Sequence, residues 1–127
     1  RLSLYAKLDN IKKEEELQTF IQSIRDRFGP VPPTVEDLFE TVRLRWIAET
    51  LGFEKLMLKG GVMKCYFLPS EKEKYFKSET FGKILAYIQK HGKHCKIKEA
   101  KNRLILIIEE VKSIEKAKKW LEEMKNA

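Results

Sequence analysis

The sequence predicts an α+β fold in the order ααββαββα, with two β-hairpins forming a small antiparallel sheet packed with helices. Three observations predict it. Two amphipathic runs flank the proline-rich corner "GPVPP", Gly29 to Pro33. Two pairs of short strand-like runs each close on a tight turn, around Gly60-Gly61 and around Ala100–Asn102. Each pair is followed by a further amphipathic helix, and local hairpins of this kind build an antiparallel sheet rather than a doubly wound one.

The first helix spans Lys13–Phe28, with Leu17, Phe20, Ile21, Ile24 and Phe28 on one stripe. Glu14, Glu15 and Glu16 in its first turn complement the helix dipole. Gly29 at C′ and Pro30 after it stop the helix. Thr34 offers an N-cap for the second helix, with Asp37 as an acidic capping-box variant. That helix carries Val35, Leu38, Phe39, Val42 and Trp46 on one face and ends near Leu51-Gly52. A flexible linker would be longer and rich in Ser or Gly. Gly29–Pro33 is therefore read as a rigid corner, with Phe28 and Val31 packed beneath it.

The first hairpin covers Lys55–Leu68, where Met63, Cys65 and Phe67 alternate with Val62, Lys64 and Tyr66. A third helix follows from Ser78 to His91, with Phe81, Ile84, Leu85 and Ile88 on one face and Gly92 as terminator. In the second hairpin the run Leu104–Ile108 is apolar at every residue, which predicts a central strand covered on both faces. The last helix, Ser113–Lys125, presents Ile114, Ala117, Trp120, Leu121 and Met124.

With 127 residues and 43% hydrophobic content, a single domain with its own core is the economical reading, residues 1–127. Charged residues are abundant at 35%, but apolar residues are spaced throughout, which argues against disorder. The chain begins with Arg1 and lacks an apolar run near the ~20 residues of a membrane span, so it reads as a soluble piece of a longer, cytoplasmic polypeptide with no membrane partner. Two cysteines, Cys65 and Cys95, suit a reducing compartment better than a disulfide scaffold. The net charge of +7 is uneven: residues 1–52 hold 8 basic and 9 acidic side chains, residues 53–127 hold 18 and 10. A basic half is the footprint of a nucleic-acid binder, but 17 of those 18 are Lys, and Lys is poorly suited to reading base edges. Lysines that keep solvent faces wet explain the same count.

Catalytic chemistry is sparse. Gly60-Gly61 lacks the Gly-Lys-Ser/Thr of a phosphate-cradling loop. His91, His94 and Cys95, with Cys65 from a neighbouring strand, could ligate zinc, but their spacing fits no common zinc motif, and both cysteines sit where a small buried apolar residue is usual. A Cys–His nucleophilic pair lacks an orienting third residue. Glu109-Glu110 fits a solvated strand-to-helix loop as well as a carboxylate pair. The expectation is a chain with no catalytic, cofactor-binding or metal-ligating residues, and hence no enzyme activity of its own.

An ordered series of motifs carries a resemblance. These are "RLSLY" (Arg1–Tyr5), "DRFGPVP" (Asp26–Pro32), "VRLRWIAETLGFEKL" (Val42–Leu56) and "GGV" (Gly60–Val62). Together they resemble the C-terminal (TRCF) domain of the bacterial transcription-repair coupling factors, the Mfd family. The resemblance spans nearly the whole chain and is most specific in the first 65 residues. It implies a parent that is an ATP-dependent DNA translocase, using ATP and magnesium in motor domains outside this chain. The parent would release RNA polymerase stalled on damaged DNA and recruit the excision-repair protein UvrA. It further implies that this domain is autoinhibitory: it docks on a UvrB-like N-terminal module of the same polypeptide and masks the UvrA-binding surface. In the family the contact is attributed to acidic residues on the helix ending in DRFG. Asp26 matches one such position, Ser23 occupies another where relatives can carry an acid, and Arg27 lies beside them. The competing class is a nucleic-acid-binding module that uses the lysine-rich second half to grasp duplex.

Overall fold

The computed structural model describes residues 2–127, with Arg1 of the RLSLY motif outside the described residues and side chains described from Leu4 onward. The elements are α1 (Leu2–Asn10), α2 (Glu14–Phe28), α3 (Pro33–Leu51), β1 (Phe53–Lys59), β2 (Val62–Phe67), α4 (Glu73–Phe76), α5 (Glu79–Lys90), β3 (Cys95–Ala100), β4 (Arg103–Ile108) and α6 (Ile114–Asn126). The α+β class and the antiparallel sheet agree with the sequence reading, which passes over two short helices, α1 and the single turn α4. The chain divides into two compact units, one up to Trp46 and one from Ile47 to Ala127, with the division inside α3.

In the first unit, Leu8, Ile11, Leu17, Ile21, Phe39 and Val42 form the core. Leu8 and Ile11 come from the end of α1 and the loop after it, three residues apart, so even a nine-residue helix contributes a buried stripe. The segment Val42–Trp46 shows how densely this unit uses its sequence. Val42 and Leu44 are buried, and Arg43, Arg45 and Trp46 beside them tie helices together. Arg43 grips Glu14 of α2 in a two-pronged contact, Nε to Oε1 at 2.9 Å and Nη2 to Oε2 at 2.8 Å, and Nη1 reaches Glu40 at 3.3 Å. The hydrogen bond to Glu14 raises the pKa of Arg43 above its already high value. Arg45 pairs with Asp9 at 3.2 Å, and the Trp46 indole donates to the Ile11 carbonyl at 3.2 Å.

Two local expectations fail here. Thr34 is not the N-cap of α3: the helix begins at Pro33, and the Pro32 carbonyl accepts from the Val35 and Glu36 amides. Proline suits the first helical position because its missing N–H has no partner to lose there. Phe28 is not packed beneath the corner but 67% exposed, and Val31 is only half-buried. Phe28 lies one turn beyond Ile24, the last buried residue of α2. The chain turns away at Gly29, whose φ is +76° and whose amide donates to the Arg25 carbonyl at 2.7 Å. No further helical turn remains to cover the ring.

In the second unit the sheet order is β1-β2-β4-β3, antiparallel throughout. Both hairpin turns place two residues at positive φ, Gly60 and Gly61 in one, Lys101 and Asn102 in the other, which matches the twist of the strands they join. Met63, Cys65, Phe67, Leu106 and Ile108 are fully buried on one face. Helices α5 and α6 supply the rest of that core through Ile84, Tyr87, Ile88, Ala117, Leu121 and Met124. Ser78 and Ser113 cap them, each accepting from the amide three residues on. On α5 the buried stripe takes Tyr87, whose hydroxyl donates to Glu123 at 3.0 Å, while Leu85 faces water at 37% exposure. β4 is central as expected, but only its Leu106 and Ile108 are fully covered, whereas Ile105 and Ile107 on the opposite face are half-buried. Gly52 leads from α3 into β1 at φ +88°, and a Cβ there would overlap the Tyr75 ring, whose hydroxyl donates to the Leu51 carbonyl at 2.6 Å. No helix among the described residues is long and apolar enough to cross a membrane.

Candidate docking site

The exposed end of α2 and the corner after it form an open groove of about 420 Å³ in the first unit. Its apolar floor comes from Phe20, Ile24, Phe28, Val31 and Val35, and Pro30 and Pro32 stiffen one wall. The Arg27 guanidinium sits 5.1 Å from the centroid of the Phe28 ring, so a cation holds the exposed aromatic in place. Lys7 of α1 adds a second positive charge to the rim.

Ser23 and Arg27 both line this groove, one helical turn apart on α2. Asp26 does not. It is exposed on the same helix and accepts from the Gln22 amide at 2.9 Å, outside the groove lining. Of the three residues singled out in the sequence, the structure thus brings two together and sets the third beside them. The residue that sequence reasoning assigned to the core, Phe28, is the most exposed large apolar side chain of the described chain. The available signal was its place as the last residue before Gly29, where a stripe can outrun its cover. The groove can offer an aromatic anchor and cationic edges to a partner; it presents no nucleophile beside a base.

The other candidates do not assemble into reactive sites. His91 stacks on Tyr87 with ring centroids 4.0 Å apart and its Nδ1 lies 2.9 Å from the Tyr87 carbonyl oxygen. His94 lies 3.8 Å from Glu110 and packs near Trp120. Cys65 and Cys95 are buried and unbridged. Burial pushes the Cys95 thiol up to about 11 and the Cys65 thiol well above its ordinary range, the opposite of a reactive thiolate. Among the described residues no group of three His, Cys, Asp or Glu side chains converges as a metal-ligating set.

Comparison with known proteins decides the family. The model of the TRCF domain matches residues 1–78, more than half the chain. The chain belongs to the TRCF domain family. Its matched region contains the whole docking corner and the first hairpin. Curated relatives include the transcription-repair-coupling factor of Escherichia coli, 39% identical over 66 residues, which covers 50% of this chain and 6% of the relative. The transcription-repair-coupling factor of Rickettsia conorii is 28% identical over 109 residues, 84% of this chain and 9% of the relative. The chain thus spans less than a tenth of the length of these two relatives. The fold matches a crystal structure of the C-terminal domain of a transcription-repair coupling factor with a TM-score of 0.66, at 17% identity, over 98% of this chain and 80% of the other. That likeness places the ααα-hairpin-αα-hairpin-α order of this TRCF domain on a known fold.

Proposed function

We propose that this TRCF domain is a regulatory, autoinhibitory module of a parent DNA translocase that couples transcription to nucleotide excision repair. Its docking corner packs on a UvrB-like N-terminal module of the same polypeptide and masks the surface UvrA would bind. One observation carries the reading: a folded, proline-stiffened corner that leaves Phe28 67% exposed over an apolar groove. Leaving a phenylalanine ring in water forgoes about 2 kcal/mol of burial, a loss that a docking partner recovers. Aromatic anchors ringed by polar groups are the usual energetic centre of an interface. Asp26, Ser23 and Arg27 then belong to one contact, with Ser23 and Arg27 in the groove and Asp26 at its edge, meeting a cationic group of the partner.

In this reading the chain performs no catalysis and binds no nucleotide. ATP and magnesium act in the parent's motor, and UvrA, RNA polymerase and DNA meet the parent in the cytoplasm. Because docking is intramolecular, a tether supplies an effective concentration near the millimolar range. A dissociation constant of ~10–100 µM in trans then keeps roughly 90% or more of the molecules closed and still lets a partner open them. The test is titration of the parent's isolated UvrB-like module with this chain. Binding in that range, weakened by Phe28→Ala, supports the proposal. Absence of binding at millimolar chain overturns it, as does saturable ATP binding by the chain at micromolar nucleotide.

A further inference from the structure

We propose that the open face of the four-stranded sheet binds single-stranded nucleic acid through its phosphates and one stacked base, without regard to sequence or sugar. This surface lies in the second unit, and the inference stands independently of the docking corner.

Strand register and the alternation of side chains define the face. One row across the sheet reads Lys55, Tyr66, Ile105, Lys98, and the next reads Met57, Lys64, Ile107, Lys96. Lys59 and Val62 extend it at one end, Arg103 and Ala100 at the other. Six of these twelve residues are cationic and none is acidic. The five lysines are exposed, whereas Tyr66, Ile105 and Ile107 are half-buried at the centre. Arg103 is held at 3.3 Å by Glu54, which sits at the β1 irregularity between Phe53 and Lys55. Lysines on the edge strands β1 and β3 also keep edges from pairing with other chains, but Lys64 is on the inner strand β2 and has no such duty. No two of the lysines are direct cross-strand partners, because each faces an apolar or aromatic residue in the register. The result is an apolar centre of Tyr66, Ile105 and Ile107 with cations spaced around it.

That pattern selects its occupant. Lysine ammonium groups are point charges that meet phosphates without reading bases. An aromatic on a flat sheet face gives an unpaired base a stacking platform, as single-strand-binding sheets do. The Lys55 ammonium lies over the Tyr66 ring, 5.2 Å from its centroid, so a base that stacks on that side displaces it and leaves it beside the ring to meet a phosphate. Apart from Tyr66 the face carries no neutral hydrogen-bonding side chain, so it has little with which to read base edges or a 2′-hydroxyl. A duplex hides its bases and asks for a protruding helix or ribbon, which the face of a sheet does not supply.

The experiment is fluorescence anisotropy of the 127-residue chain with a labelled oligo-thymidylate of about 15 nucleotides across a salt series. Three to five lysine contacts predict a log–log salt slope of about −2 to −3.5. Replacing Lys64, Lys96 and Lys98 together by Ala should flatten the slope by about 2. Tyr66→Ala should weaken binding roughly 5- to 100-fold with the slope unchanged, while Tyr66→Phe retains affinity. Oligo-uridylate should bind within a few-fold of oligo-thymidylate. A helix-borne control, Lys90, Lys116 and Lys125 replaced together by Ala, should leave binding intact. Circular dichroism checks each fold, and the lysine variants carry the test if Tyr66→Ala does not fold. No binding at low salt overturns the proposal. So does an equal loss from the helix control, tighter binding to duplex, or competition by polyglutamate equal per charge to the oligonucleotide.

Discussion

Up to Trp46 the chain carries 8 basic and 8 acidic side chains, and its most exposed large apolar residue is Phe28 at a stiff corner. From Ile47 onward it carries 18 basic against 11 acidic side chains, and a sheet face edged with lysine turns to water. The first unit pairs its charges with one another at the surface, in Arg43–Glu14, Arg45–Asp9 and Arg25–Glu36 contacts that join three helices. The second pairs Lys83 with Glu79 along α5 at 3.7 Å and carries a surplus of seven cationic over acidic side chains. Neutral, internally paired charge beside one exposed aromatic suits a specific protein contact. Unbalanced positive charge over an open sheet face suits a polyanion. Net charge for the whole chain, +7, averages two surfaces with different chemistry and describes neither.

The largest effect should come from Gly52→Ala, which attacks the second unit alone. The change forces φ +88° on a side chain and drives its Cβ into the Tyr75 ring. The expected cost is about 3 kcal/mol or more. Each unit has one tryptophan, Trp46 in the first and Trp120 in the second, so single-tryptophan variants can report on each in thermal melts. The Trp120 transition should fall first and furthest. Equal falls in both signals would dissolve the division into two units.

Next in size is Phe28→Asp, which should weaken docking on the UvrB-like module by at least tenfold while the first unit melts as before, because the ring lies in water rather than in the core. A drop in melting temperature would show Phe28 to be structural. Asp26→Arg should shift the same equilibrium by roughly 1–3 kcal/mol if its partner is a cation partly shielded from water. Arg43→Ala, by contrast, should destabilise the first unit by about 1–2 kcal/mol, since its contact with Glu14 is bidentate and only a quarter exposed on the Arg side. It should leave oligonucleotide binding by the sheet untouched. The smallest effect should be a gain: Lys101→Gly relieves a lysine held at φ 51° and should stabilise the second hairpin by up to about 1 kcal/mol, read as a higher Trp120 transition.

The sequence made the helices and hairpins legible where periodicity was strong. Leu17, Ile21 and Ile24 were found by helical spacing, and Met63, Cys65 and Phe67 by alternation, because those side chains fill a single core face. Short elements escaped, since nine residues in α1 and four in α4 give too few repeats for a period to emerge. Phe28 was misplaced for a related reason. Helical spacing says which face of α2 it shares, but whether anything covers that face depends on where the neighbouring chain goes after Gly29. Ile105 and Ile107 repeat the lesson: a continuous apolar run marked a central strand, yet one face stayed open among lysines from three other strands. Of the candidate site, Ser23 and Arg27 could be named from motif resemblance, while the groove that joins them to Phe28 depends on the fold.

The masking role of the corner is tested most directly by measuring UvrA affinity of the full-length parent with and without Phe28→Asp, alongside the thermal unfolding of each protein. Opening the clamp should raise UvrA affinity about tenfold or more at unchanged unfolding temperature. Unchanged UvrA affinity with the fold intact, repeated on deletion of residues 1–127, would contradict autoinhibition by this domain.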